Sequence, residues 1–260
     1  SIRSEEMDKI SLLNKKALIT GAGTGIGRAI ALEFARLGAD VVVNYNSSKD
    51  AALEVVEEIK KLGRNAIAVQ ADVTQEEQVD ALVQKTVDFG QGRIDILVNN
   101  AGTLVERCQI DKMDLSLWQT IMDVNMTSTF LVCKYVIPIM KAQKSGRIIN
   151  MSSMAAHNGG GPGAIAYATS KAAVSTFTKG LAKELAPDIL VNCLAPGIIT
   201  TRFHDIYTPQ DVRAKMTAGI PLKREGTPEE VAGAAVFLAT EYGSYVTGEM
   251  IEVNGGIYMD

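Results

Sequence analysis

Short apolar runs rich in Val and Ile recur along the chain at Ala17–Thr20, Val41–Tyr45, Ala66–Gln70, Ile94–Asn99, Arg147–Met151, Leu190–Leu194 and Met250–Val253. Each is bounded by polar or turn residues and lacks a clean apolar/polar alternation, as expected of strands buried on both faces. Amphipathic stretches at helical spacing separate them: Lys49–Leu62, Glu76–Phe89, Leu115–Met140, Tyr167–Leu185 and Pro228–Thr240, with Ile26, Ile30, Phe34 and Leu37 marking one more after the first run. Strands alternating with helices predict an α/β fold, one doubly wound parallel sheet of about seven strands with helices on both faces. No linker interrupts the pattern, so residues 1–260 read as a single domain. The rhythm fails at 196–225, where Pro209, Pro221, mixed charges and aromatics predict an irregular insertion acting as a lid.

Composition narrows the function classes. With 26 basic against 30 acidic residues the formal charge is −4, which argues against a nucleic-acid or anionic-membrane surface as partner. The apolar run Val231–Ala239 falls far short of the ~20 residues of a bilayer span. The opening residues mix both charge signs without an apolar core, so a cytoplasmic compartment is the expectation. Cys108, Cys133 and Cys193 form no C-x-x-C pair and read as structural thiols; His157 and His204 are the only imidazoles, so no metal site is expected.

The first strand runs into Thr20-Gly21-Ala22-Gly23-Thr24-Gly25-Ile26-Gly27, at the start of a helix. Glycines let backbone approach a pyrophosphate, and the helix N-terminus offers unpaired N–H groups and a positive dipole end. The strict G-x-G-x-x-G spacing is not met, since Ile26 precedes Gly27. Asp72-Val73, Asn99-Asn100-Ala101-Gly102, Ser152-Ser153 and Pro196-Gly197 fall at successive strand ends. Ligands of doubly wound sheets lie across those ends, so the four groups are expected to ring one crevice.

Tyr167 and Lys171 are one helical turn apart, on one face. An ammonium beside a phenol favours the phenolate, so Lys171 is expected to lower the Tyr167 pKa and fit it for acid–base work. Ser153 can donate to a substrate oxygen. His157, four residues on, lacks the G-x-S-x-G elbow of a Ser–His hydrolase and belongs to a glycine-rich loop.

In this order along nearly the whole length, these motifs resemble the short-chain dehydrogenase/reductase family, and among its members the bacterial 3-oxoacyl-(acyl-carrier-protein) reductases and glucose 1-dehydrogenases. The resemblance implies a Rossmann fold and hydride transfer between a nicotinamide and a carbonyl or secondary alcohol. It assigns Tyr167 as acid/base, Ser153 as the group polarising the carbonyl, Lys171 as the ribose holder, and Asn125 as support for a proton-relaying water. It implies cofactor contacts at Gly21, Thr24, Gly25, Ile26, Gly27, Asp72, Val73, Asn99, Ala101, Gly102, Pro196, Gly197, Ile199 and Thr201, besides Tyr167 and Lys171. The second strand ends without a carboxylate, at Asn44, Tyr45, Asn46, Ser47, Ser48 and Lys49. Neutral donors there, with Asn44, Asn46 and Ser47 in contact, predict that NADP(H) is preferred and NAD(H) accepted. A 3-oxoacyl thioester is the expected substrate, a sugar, polyol or small ketone the alternative, and a non-catalytic dinucleotide sensor the reading from another class. Arg202 and His204 suit a polar or anionic substrate. Val132, Val136, Val174, Phe177 and Leu181 exceed what one buried helix face should need, which with the family habit predicts a homotetramer.

Overall fold

A computed structural model of the chain describes residues 9–259, the side chains of Phe203 and His204 excepted. The seven strands are β1 (Lys16–Ile19), β2 (Asp40–Tyr45), β3 (Ala66–Gln70), β4 (Ile96–Asn99), β5 (Gly146–Met151), β6 (Ile189–Pro196) and β7 (Met250–Val253). All pairings are parallel and the order is β3-β2-β1-β4-β5-β6-β7. The order reverses between β1 and β4, which opens a crevice at their carboxyl ends.

Alternate strand residues feed two cores, because side chains leave a strand on opposite faces. Ala17, Ile19, Val41, Val43, Ile96 and Val98 pack under α1 (Gly25–Arg36), α2 (Lys49–Lys61) and the late helix Pro228–Ala239. Leu18, Val42, Leu97 and Ile148 pack under α3 (Glu76–Phe89) and two longer helices of the other face. One edge is tied by charge: Asp40, 2% exposed, pairs with Lys16 at 2.6 Å and Arg64 at 3.0 Å. Burial pushes the Asp40 carboxyl up, but Lys16, the Asn65 N–H and Arg64 outweigh it and hold it below its ordinary value.

Two sequence expectations change here. The stretch Leu115–Met140 is not one regular helix: α4 (Leu115–Met122) and α5 (Ser128–Gln143) are joined by a π-helical turn over Asp123–Thr127. The segment 196–225 is not wholly irregular: it carries two helices, α8 (Arg202–Tyr207) and α9 (Gln210–Gly219), after α6 (Ala155–Asn158) and α7 (Ile165–Leu185), and before α10 (Pro228–Ala239). Pro209 stands at the N-cap of α9, where its fixed φ and missing N–H cost nothing.

Val132, Val136, Val174 and Leu181 are at most 7% exposed and Phe177 is half-buried against the core, so the five fill the core rather than crowd the surface. The apolar side chains these helices do expose are Leu115, Phe130 and Ile165. No helix among the described residues is long and apolar enough to cross a membrane.

Candidate active site

A cavity of about 610 Å³ runs along the carboxyl ends of the strands from the glycine turn to the segment 201–216. Its first wall is the β1–α1 turn, where Gly21 (φ 58°) and Gly25 (φ 56°) take up left-handed backbone that side chains disfavour. Thr24 is the N-cap of α1 and makes no side-chain cap bond, and the first turn holds no acidic residue. The α1 amides are thus left to an anion. Gly27 does not line the cavity; a Cβ there would lie 2.4 Å from Asn100 Nδ2 and 2.5 Å from the Gly21 carbonyl. Its smallness serves the packing of turn against strand.

Asn44 anchors this turn. Its Oδ1 accepts from the Gly21 N–H at 3.2 Å, and its Nδ2 donates toward the Val69 carbonyl at 3.2 Å and the Ala71 carbonyl at 3.3 Å. Asn100 works from the other side, donating to the carbonyls of Thr20 and Gly21 at 3.2 and 3.0 Å. Asn99, expected at the adenosine end, does not line the cavity: its amide donates to Asn150 at 2.9 Å and to the Cys133 thiol, inside the sheet. Asp72 spends Oδ1 on the backbone and hydroxyl of Thr74, and its chain lines the cavity with Val73. Asn46, Ser47 and Ser48 line it as well; Lys49 does not, and Arg28 is committed to Glu58 at 2.7 Å. The end of β2 therefore presents neutral donors alone among the described residues.

Gly102 marks the chemical end. A Cβ on it would lie 2.7 Å from Asn125 Oδ1 and 3.1 Å from Lys171 Nζ, so only hydrogen allows these groups to converge. The π turn carries Asn125, 1% exposed, whose amide is spent on structure: Nδ2 donates to the Thr103 and Ile121 carbonyls at 2.7 and 2.9 Å, and Oδ1 accepts from the Thr103 N–H. Asn125 lies behind the cavity wall and fixes the loop after β4.

Tyr167 and Lys171 reach the wall from α7, and Ser153 from the end of β5. Ser153 hydrogen-bonds the Tyr167 hydroxyl and also accepts from the Ala155 N–H at 3.1 Å. Ser152, 3% exposed, donates to the Lys171 carbonyl at 2.9 Å and bonds Ser175, so its hydroxyl is turned into α7. Lys171 Nζ lies 5.8 Å from the centre of the Tyr167 ring and donates to the Met151 carbonyl at 2.9 Å. Burial pushes the Tyr167 phenol up to about 12, with the Ser153 bond acting the other way, and burial pushes Lys171 down to about 8. The expected net lowering of the phenol pKa is corrected by this packing: desolvation dominates at Tyr167 and the phenol lies above its ordinary value, not below it.

His157 is no nucleophile's partner. Its Nε2 meets Glu252 at 2.5 Å and its ring stacks on Tyr258 at 4.0 Å, which ties α6 to the end of β7. His204 lies outside the described side chains. Burial raises the Cys133 and Cys193 thiols to about 12, and no group of His, Cys, Asp and Glu among the described residues is arranged to hold a metal.

Asn100, expected in the rim of the crevice, does line the cavity, whereas Leu104, Arg107, Thr208 and Met216 line it without having been expected from sequence. An amide inside an otherwise apolar strand, as at Asn44, was a readable signal of a structural partner. Leu104, Arg107 and Thr208 come from loops and Met216 from α9, and none of them carried a signal in the sequence.

A family model described as enoyl-(acyl carrier protein) reductase matches residues 21–258. The chain is 45% identical over 251 residues to a 3-oxoacyl-[acyl-carrier-protein] reductase of Synechocystis sp., covering 96% of this chain and 99% of that protein. It is 41% identical over 251 residues to the corresponding reductase of Aquifex aeolicus, covering 96% and 100%. Among solved structures, a 7α-hydroxysteroid dehydrogenase complexed with NADH and 7-oxo glycochenodeoxycholic acid superposes with a TM-score of 0.91, at 38% identity over 96% of each chain. A Beutenbergia cavernae chain assigned provisionally as a NAD(P)-dependent gluconate 5-dehydrogenase, with NADP at low occupancy, gives 0.89 at 38% identity over 96% and 98%.

Proposed function

Since the chain belongs to the short-chain dehydrogenase/reductase family of oxidoreductases, we propose that it is an NADP(H)-preferring carbonyl reductase acting on 3-oxoacyl thioesters. One observation carries the reading: Ser153, Tyr167 and Lys171 share the wall of the same cavity whose other end is the glycine turn. That turn, with its two left-handed glycines and uncapped α1, fits a dinucleotide pyrophosphate. Gly21, Thr24, Gly25 and Ile26 would hold it; Asp72 and Val73 would flank adenine; Ala101, Gly102, Pro196, Gly197, Ile199 and Thr201 would border the nicotinamide half. When bound, the nicotinamide supplies or accepts the hydride.

The chain's residues supply the rest. With a pKa raised to about 12, Tyr167 is protonated at neutral pH, the form needed to give a proton to a carbonyl oxygen. Ser153 donates to that oxygen, and hydrogen-bonded to the phenol it sets the two donors on one point. Lys171, held by the Met151 carbonyl, keeps a cation beside the phenol and stabilises the anion it becomes on losing its proton. Asn125 holds Thr103 and thereby the floor of the site; a water between its turn and Lys171 would return the proton. Residues 196–225, with α8 and α9, serve as a lid over the substrate.

Neutral donors at Asn46 and Ser47 leave room for a 2′-phosphate without a charged partner, which supports a modest NADP(H) preference with NAD(H) accepted. The exposed Leu115, Phe130 and Ile165, together with the family habit, support a homotetramer, and this reading includes a cytoplasmic location. The test is initial rates with NADPH and NADH on 3-oxoacyl, 2-enoyl, aldose and hydroxysteroid substrates. Turnover of the 3-oxoacyl thioesters with NADPH is expected; reduction confined to the 2-enoyl thioester would overturn the carbonyl assignment.

A further inference from the structure

We propose that Arg107 reads an anionic oxygen group, a carboxylate or a phosphate, carried by the carbonyl substrate away from its reacting carbon. The inference rests on the carbonyl-reductase reading and names the class of substrate that this site takes.

Arg107 belongs to the loop after β4 and lines the cavity on the side of the segment that follows Ser153. Gly163 makes room for its stem: a Cβ there would lie 3.0 Å from the Cys108 N and 3.1 Å from Arg107 Cβ. Gly163 also has φ of 72°, so the loop bends around the arginine on backbone that a side chain disfavours. The guanidinium is oriented from two sides. Its Nε donates to the Tyr207 carbonyl at 2.9 Å, at the end of α8, and its Nη1 donates to the Pro162 carbonyl at 2.9 Å. A guanidinium has more donors than these two bonds use, and Nη2 makes no hydrogen bond among the described residues.

Charge decides what those remaining donors are for. Arg107 makes no ion pair with a described residue, and Arg202, the other arginine of the lining, makes none either. Arg213 of α9, by contrast, is saturated by Glu225 and Asp205. Among the described lining residues the one carboxylate is Asp72, at the glycine-turn end. The substrate end is thus a concave site with an unpaired cation whose planar fork is already fixed. A fixed guanidinium with no internal acid is suited to a carboxylate or phosphate oxygen. A strut between loop and lid would need the two carbonyl bonds but gives no reason for a mouth without acid.

The experiment uses matched carbonyl pairs with NADPH: 4-oxopentanoate against its methyl ester, and 3-oxobutanoyl-4′-phosphopantetheine against the neutral N-acetylcysteamine thioester. The wild type should favour the charged member of one pair by about tenfold in kcat/KM, the size of a single charge-assisted contact, and that pair identifies carboxylate or phosphate. In R107A the charged-to-neutral ratio should fall toward one, while R107K, which keeps charge but not the fork, should retain part of it. The same ratio is read without turnover from the Kd of the matching hydroxy products. No charge preference in the wild type, or an unchanged ratio in a folded R107A whose rates fall equally on both members, overturns the proposal and leaves Arg107 a strut. Failure to turn over any carbonyl, charged or neutral, overturns instead the reading on which it rests.

Discussion

Replacing Asn44 by Ala tests whether the glycine turn is held from the second strand. Asn44 is 2% exposed. Its Oδ1 pins the Gly21 N–H at 3.2 Å, and its Nδ2 spreads its protons over the Tyr45, Val69 and Ala71 carbonyls at 3.3, 3.2 and 3.3 Å. An intramolecular hydrogen bond contributes about 1 kcal/mol net, and a buried group left unpaired costs roughly 1–3 kcal/mol. The contacts at Val69 and Ala71 share one amide at long distance, so they count together as about one bond. Losing that bond and the one to Gly21, with some desolvated carbonyl left behind, costs about 3 kcal/mol. For a chain of this size that lowers Tm by roughly 6–12 °C. Because the turn loses its tether, the Kd for NADPH should also rise, by roughly fivefold. Asn44→Asp should be worse, since carboxylate oxygens would face the Val69 and Ala71 carbonyls. The assay is thermal unfolding by circular dichroism with cofactor titration by fluorescence. An N44A protein with Tm within about 2 °C of wild type and an unchanged Kd would refute the reasoning.

Ser153→Ala should lower kcat by about a hundredfold or more, while Ser152→Ala, which removes a bond into α7, should be mild on kcat; steady-state rates of the two variants decide, and the reverse order would mean the wrong hydroxyl was chosen. Asp40 lies below its ordinary pKa in the folded chain, so its stabilisation is present above the unfolded value of about 3.9 and is lost as pH falls through the folded value. Urea midpoints between pH 6 and 3 should therefore fall less steeply in Asp40→Asn than in wild type, and parallel slopes would contradict the pairing with Lys16 and Arg64. Gly102→Ala should lower kcat sharply with the fold intact, since the new methyl must displace Asn125 or Lys171; an unaffected rate would mean those groups need not converge.

The sheet was legible because parallel strands buried on both faces leave unbroken Val- and Ile-rich runs, and β3 and β7 begin and end where their runs do. The lid helices were not, because Pro209 reads as a breaker in sequence and serves in the structure as the start of α9. The π turn at Asp123–Thr127 escaped for a related reason: one extra residue per turn barely disturbs an apolar periodicity. Among candidate site residues, motif spacing found Tyr167, Lys171 and Ser153, whose side chains share one wall. It did not separate Asn99, turned into the sheet, from Asn100, turned to the glycine turn; neighbours along a strand face opposite ways, and register decides which. The direction of the Tyr167 shift was out of reach as well. Spacing brings an ammonium near a phenol, but only the packing shows that both are desolvated and that Met151 holds the lysine.

The central claim is that Tyr167 is the proton donor of a carbonyl reductase, and Tyr167→Phe tests it most directly because ring and packing are kept while one oxygen is removed. Measured with NADPH and the best 3-oxoacyl thioester, kcat should fall by about 10²–10⁴, with the Kd for NADPH within about twofold of wild type and Tm nearly unchanged. A folded, cofactor-binding Y167F enzyme that retains most of the wild-type turnover would contradict the account.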